Sequence, residues 1–180
     1  MNRTISLFSS QGILAHYRPT PIGLLLEYHN LGRPLDSYEK ARLLVGMCMD
    51  NRKHLRLPDN FAYIVRTGGG NLRYNEFQVS YAVAIAGVEG IALIGHGDCA
   101  MVGLASKKEL FVTGLVERGG WDPEAAEVHF VSFAPMFEIG NEFDFVLAEA
   151  GRLRARYPRT PVAPTLYRME DGLLYLIEEQ

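Results

Sequence analysis

Short, almost wholly apolar runs alternate along this chain with stretches whose apolar residues recur at helical spacing. Residues 41–49 (ARLLVGMCM) stop at Asp50 and predict a strand buried on both faces. Residues 61–66 (FAYIVR), rich in aromatic and β-branched side chains and closed by the glycines of TGGGN, predict a second. Residues 90–95 (GIALIG) predict a third, with His96 at its carboxyl end. Residues 127–133 (EVHFVSF) alternate enough to predict a fourth. Helices are expected over 75–86, with an Asn start and a Gly87 stop, and over 100–119. A further helix, 141–156, opens on an Asn cap and ends in basic turns that suit its dipole. The tail reads as two short strands around Asp171-Gly172, a hairpin signal.

Strands interleaved with helices make the fold class α/β. The expected architecture is an open, mainly parallel sheet of order 2-1-3-4, with a carboxyl-terminal edge strand or hairpin and flanking helices. Residues 1–180 read as one domain, since no repeat, linker or low-complexity tract divides them. Residues 1–40 read as an amino-terminal helical arm whose apolar part, Pro21 to Leu26, packs either on its own domain or on a second subunit.

Composition narrows the function classes. A formal charge of -3 gives no electrostatic reason to expect nucleic acid or an anionic membrane surface as partner. No apolar stretch approaches the ~18–20 residues of a membrane span, and no leader pattern opens the chain. A cytoplasmic protein with reduced thiols is the expectation, and two cysteines are too few for a disulfide scaffold.

Those two cysteines sit at the ends of predicted strands: Cys48 closes the first, and Cys99 follows the third within His96-Gly97-Asp98-Cys99. In the order 2-1-3-4 the first and third strands are neighbours, and their carboxyl ends border the crevice where such sheets place ligands. Two thiolates and one imidazole converging there form a zinc site. The other histidines lack such company: His16, His29 and His129 read as structural, and His54 as a solvated loop residue rather than a proton shuttle. Gly68-Gly69-Gly70 lacks the continuation of a nucleotide-binding loop and reads as a turn allowing close approach to the metal pocket.

Cys48, Asp50 and Arg52 as C-x-D-x-R, followed by His96 and Cys99 as H-x-x-C, resemble the signature of the beta-class carbonic anhydrase family. The segments FAYIVRTGGGN, VSYAV and GIALIGHGDC are similar to that family in order and spacing, so the likeness is strong from Arg42 to Met101. Departures are Asn51 for Ser or Ala, Ala100 for Gly, Thr67-Gly68-Gly69 for Asn-Ala-Gly, and Lys53-His54-Leu55-Arg56 for a more apolar segment. None removes a metal ligand or the Asp–Arg pair.

The resemblance implies a beta-carbonic-anhydrase-like fold and zinc held by Cys48, His96 and Cys99. It implies reversible hydration of carbon dioxide to bicarbonate by a zinc-bound hydroxide that an Asp50–Arg52 dyad orients. Asp50 is either the partner of Arg52 or a fourth zinc ligand in an inactive form. Two thiolates make zinc a weaker Lewis acid than three imidazoles do, so activity is expected to rise into alkaline pH. The same site suits carbonyl sulfide or carbon disulfide as substrate, and a non-catalytic zinc-binding relative is the reading from another class. A homodimer or tetramer is also implied.

Overall fold

The computed structural model describes residues 4–5 and 9–179. Its strands are β1 (Thr4–Ile5), β2 (Leu43–Cys48), β3 (Ala62–Thr67), β4 (Ile91–His96), β5 (Val162–Tyr167) and β6 (Leu174–Ile177). They form one sheet of order β1-β6-β5-β4-β2-β3. Strands β3, β2, β4 and β5 run parallel, and β6 and β1 extend the sheet antiparallel. The α-helices among the described residues are α1 (Pro21–Asn30), α2 (Glu76–Ala84), α3 (Lys108–Gly119), α4 (Pro123–Phe137) and α5 (Glu142–Arg156). None is long and apolar enough to cross a membrane.

The α/β class and the parallel order stand as expected, but the fourth strand is β5. Residues 127–133 lie inside α4. The Asp122 carboxylate accepts from the Ala125 amide at 3.0 Å, and Pro123 occupies the first helical position, so the helix start is strongly fixed. Ala126, Phe130 and Ala134, four residues apart, form the buried stripe, while Val128, Val131 and Phe133 face outward. Those outward β-branched and aromatic residues imitate a strand in the sequence. Residues 100–107 also depart from expectation: Gly103 is left-handed and a 3-10 turn, Leu104–Lys107, precedes α3.

Over β2, β4 and β5 the sheet is covered on both faces. Strands β2, β4 and β5 are buried along their whole length, as the continuous apolar runs require. On one face Ile22, Leu25, Leu26 and Tyr28 of α1 pack with Leu43, Val45, Met47 and Phe61. On the other, Val79 and Ala82 of α2 and Val146, Ala150 and Leu153 of α5 pack on Leu44, Leu93 and Val162. Gly46 permits this closeness in β2, since a Cβ there would meet Leu72 Cδ1 at 2.7 Å.

The apolar part of residues 1–40 packs on the chain's own sheet. Helix α1 is clipped to β6 by Asn30, whose Nδ2 donates to the Leu174 carbonyl at 2.7 Å and whose Oδ1 accepts from the Leu174 amide at 3.0 Å. Ile22, Leu25 and Leu26 are covered by this chain's own sheet, and Leu24 is partly buried. Within residues 1–40 the structure also places β1, paired with β6.

Candidate metal centre

Strands β2 and β4 are parallel neighbours, with Met47 opposite Ile94, so they leave the sheet at the same end. Cys48 is the last residue of β2, and His96 the last of β4. Beyond His96 the chain reverses through Asp98, whose φ of 59° lies in the left-handed region that aspartate tolerates better than most residues. That turn brings Cys99 back. The donor atoms of Cys48, His96 and Cys99 lie within 4.8 Å of one another, and all three residues are buried.

Close approach from the neighbouring loop completes the enclosure. Gly69 and Gly70 take φ of 64° and 75°, and a Cβ on Gly70 would sit 3.5 Å from the Cys48 amide nitrogen. The Thr67 hydroxyl donates to the Asn71 carbonyl at 3.0 Å, and Asn71 Nδ2 donates to the Met136 carbonyl at 2.8 Å, tying the glycine turn to α4.

The donor set fits a metal ion. His96 Nδ1 donates to the Gly97 carbonyl at 2.8 Å, which leaves the lone pair on Nε2. Nε2 is buried with no hydrogen-bond partner, a costly state for a polar atom unless a cation takes the lone pair. The two sulfurs lie 3.9 Å apart as free thiols. One of the pair ionises easily because the other donates to it: the hydrogen bond from Cys99 pulls Cys48 down, and the same contact, together with burial, pushes Cys99 up. Two cysteine sulfurs and an imidazole in one buried cluster form a ligand set of the softer N/S type.

Asp50 stands beside the cluster and is turned to Arg52. Its Oδ1 accepts from the Arg52 amide at 2.9 Å and from Nε at 3.1 Å; its Oδ2 accepts from Nε at 3.0 Å and Nη2 at 2.6 Å. These bonds hold the Asp50 carboxyl far below the usual carboxylate range. Oδ2 lies 4.0 Å from His96 Nδ1. Arg52 also reaches toward Asp98 at 3.6 Å.

Three residues that the sequence did not single out for a role support this arrangement. Arg66, at the end of β3, donates to the Cys48, Asp50 and Lys53 carbonyls at 3.3, 3.3 and 3.0 Å and so braces the loop after β2. Its place just before the glycine turn was the available signal. Glu142, at the start of α5, accepts from the Cys99 amide at 3.2 Å. Lys53 is fully buried, with Nζ 3.6 Å from Asp50 Oδ2. Its basic character among apolar expectations was visible, but its burial was not.

The remaining histidines are accounted for elsewhere. His29 accepts from the Arg56 amide at Nδ1 (3.1 Å) and donates from Nε2 to the Gly172 carbonyl (2.8 Å). His129 stacks on Phe111 and packs on Trp121 and Phe133. His54 and His16 are exposed. Beside the cluster lies a cavity of ≈ 300 Å³ lined chiefly by apolar groups, among them Met49, Gly68, Met101, Phe130, Phe133 and Phe137. A larger cavity, ≈ 630 Å³, lies at the opposite end of β5, and the Arg154 in its wall is already paired with Glu179.

No protein-family model matches this chain, and no curated protein matches it in sequence. Solved structures do. A carbonic anhydrase from Glaciozyma antarctica superposes with a TM-score of 0.62 at 20% identity, covering 92% of this chain and 96% of that one. Beta-carbonic anhydrase isoform I from Trichomonas vaginalis gives 0.63 at 15% identity, covering 82% and 88%. A carbonic anhydrase from Streptococcus mutans gives 0.59 at 18% identity, covering 90% and 98%. The chain thus has the general beta-carbonic-anhydrase-like architecture, and at the crevice of that fold it carries a Cys-His-Cys cluster able to coordinate a metal ion.

Proposed function

We propose that this chain catalyses the reversible hydration of carbon dioxide to bicarbonate, with zinc held by Cys48, His96 and Cys99. The observation that carries the reading is the buried three-donor cluster with Asp50 beside it, tied to Arg52 instead of standing among the donors. A structural zinc takes four protein ligands, whereas a catalytic one keeps a position free. Zinc bound there would lower the pKa of water, less than a three-imidazole site does, and so supply a nucleophile toward alkaline pH.

The chain's own residues do the rest. His96 is held as the tautomer that presents Nε2 by its bond to Gly97. Asp50, kept ionised by Arg52, acts as a fixed hydrogen-bond acceptor that orients the nucleophile; its acidity makes it a poor proton store. The apolar cavity admits a small uncharged molecule and offers little to a polar one. That cavity equally suits carbonyl sulfide or carbon disulfide, the second reading. Assembly as a homodimer or tetramer is supported by the exposed Tyr63, Ile64, Phe77, Tyr81 and Ile85 along β3 and around α2.

The test is metal analysis of the reduced protein, followed by stopped-flow hydration of carbon dioxide between neutral and alkaline pH. One zinc per chain and hydration that rises with pH are expected. Asp50→Ala should keep the zinc and lose about 10²–10⁴-fold in rate. Zinc without turnover of any of the three substrates overturns catalysis, and reduced protein that takes up no zinc overturns the whole reading.

A further inference from the structure

Among the described residues only two buried side-chain polar atoms lack a hydrogen-bond partner, His96 Nε2 and Lys53 Nζ. They belong to the same site, and the proposed metal accounts for only the first. Lys53 is 0% exposed. A buried ammonium is costly unless a counter-charge lies near it. The nearest carboxylate is Asp50, whose Oδ2 lies 3.6 Å away. The other charges facing Lys53 are the Cys48 and Cys99 thiol pair. Its carbonyl is pinned by Arg66 Nη2 at 3.0 Å, so the backbone beneath it is fixed.

Asp50 Oδ2 therefore lies between two cations of different standing. Arg52 is 49% exposed, and an ion pair so open to water is weak and screened by salt. Lys53 has no water to fall back on, and if Asp50 turned away the ionised member of the cysteine pair would be its one remaining counter-charge. Arg52 supplies the hydrogen bonds to the carboxylate, and the buried cation adds an attraction that water does not screen.

We propose that Lys53 is a positioning residue that keeps the Asp50 carboxylate paired with Arg52 and away from Cys48, His96 and Cys99, leaving the metal's remaining position open to an outside ligand. The proposal deepens the zinc reading and rests on it for the presence of a metal. It also gives a reason for a lysine where the resembling family has an apolar segment: the charge replaces packing as the means of holding the dyad.

Cobalt(II) in place of zinc provides the readout, since its visible absorption changes when a ligand enters or leaves the metal. Thiocyanate is titrated into the cobalt-loaded parent, Lys53→Met, and the double variant Lys53→Met/Asp50→Ala. The parent spectrum should respond. In Lys53→Met the apparent thiocyanate affinity should fall at least tenfold, because Asp50 takes the open position, and in the double variant it should return. A Lys53→Met response within twofold of the parent overturns the proposal, as does a lost response that persists in the double variant. If Lys53→Met does not fold, Lys53→Gln takes its place in the same comparison. A parent that binds cobalt but ignores thiocyanate overturns the role of Lys53 and leaves the metal site standing; a parent that binds no cobalt overturns both.

Discussion

Replacing Asp50 with asparagine should destabilise the metal-free protein, and Lys53 is the reason. The substitution keeps the shape and removes the charge. With Arg52 about half exposed, the loss of that ion pair is worth only ~0–1 kcal/mol. Lys53, with no exposed surface, loses its nearest counter-charge and has no solvent to replace it. The chain's escape is to deprotonate the lysine; from an ordinary pKa of ~10.4 that would cost about 4–5 kcal/mol at pH 7, and burial, which pushes the Lys53 pKa down, sets the ceiling below that. The ionised member of the cysteine pair supplies part of the missing charge. The expected loss is then about 2–4 kcal/mol, the scale on which buried pairs fail when one partner is removed. For a chain of this length that lowers the melting temperature by roughly 4–16 °C.

The measurement is thermal or urea unfolding at pH 7 with reductant and chelator present, on the parent, Asp50→Asn, Lys53→Met and Asp50→Asn/Lys53→Met. The double variant should recover most of the Asp50→Asn loss, because the neutral methionine leaves no stranded charge, giving a coupling of at least ~1.5 kcal/mol. An Asp50→Asn protein within about 0.5 kcal/mol of the parent would refute the argument. So would a double variant no more stable than Asp50→Asn alone.

Two further outcomes follow from buried groups away from the centre. Burial holds the His29 pKa down, although its bond to Gly172 pulls the other way, so the native state binds its proton later than the unfolded chain does. Stability contributed by neutral His29 is present above the unfolded pKa of ~6.5 and is lost as pH falls toward the lower folded value; His29→Gln should flatten that part of a urea-midpoint-against-pH curve, and an unchanged slope counts against it. Glu149, 1% exposed, accepts from Arg152 Nε and Nη2 at 2.8 Å each and from Arg73 Nε at 3.3 Å, joining α5 to the entrance of α2. Glu149→Ala should cost about 3 kcal/mol in urea unfolding, and a loss below ~1 kcal/mol would mean that its partners re-pair freely.

The parts of the fold legible in the sequence are those where one local pattern had one structural solution. Runs such as LLVGMC and IALIGH are too apolar to face water on either side, and each ends in a polar turn, so β2 and β4 followed directly. The fourth strand was misplaced because two signals competed over residues 122–137. The Asp-Pro start argued for a helix while the outward Val128, Val131 and Phe133 argued for a strand, and the cap carried the local structure. The place vacated fell to β5, read only as half of a hairpin, although its partner β6 does lie beside it as expected. Helix α1 posed a different problem: an apolar stripe requires a cover but cannot say whose, and the Asn30 clip that ties it to this chain's sheet depends on a strand 144 residues away.

The centre was more legible than the fold around it, for a geometric reason. Parallel neighbours in a sheet share an end, so the last residues of β2 and β4 meet whatever the intervening chain does, and Cys48 and His96 are those residues. Cys99 needed only one tight turn, and Asp98 makes it. What surrounds the donors was hidden, because it depends on burial and not on spacing. Arg66 aims at carbonyl groups that a sequence does not display, and the basic character of Lys53 is visible in the sequence while its burial is not. The donors are thus set by topology, while the position of Asp50 beside them is set by two cations, one exposed and one buried. Lys53 stands where the family this chain resembles has a more apolar segment, and a comparison of donor motifs alone would miss it.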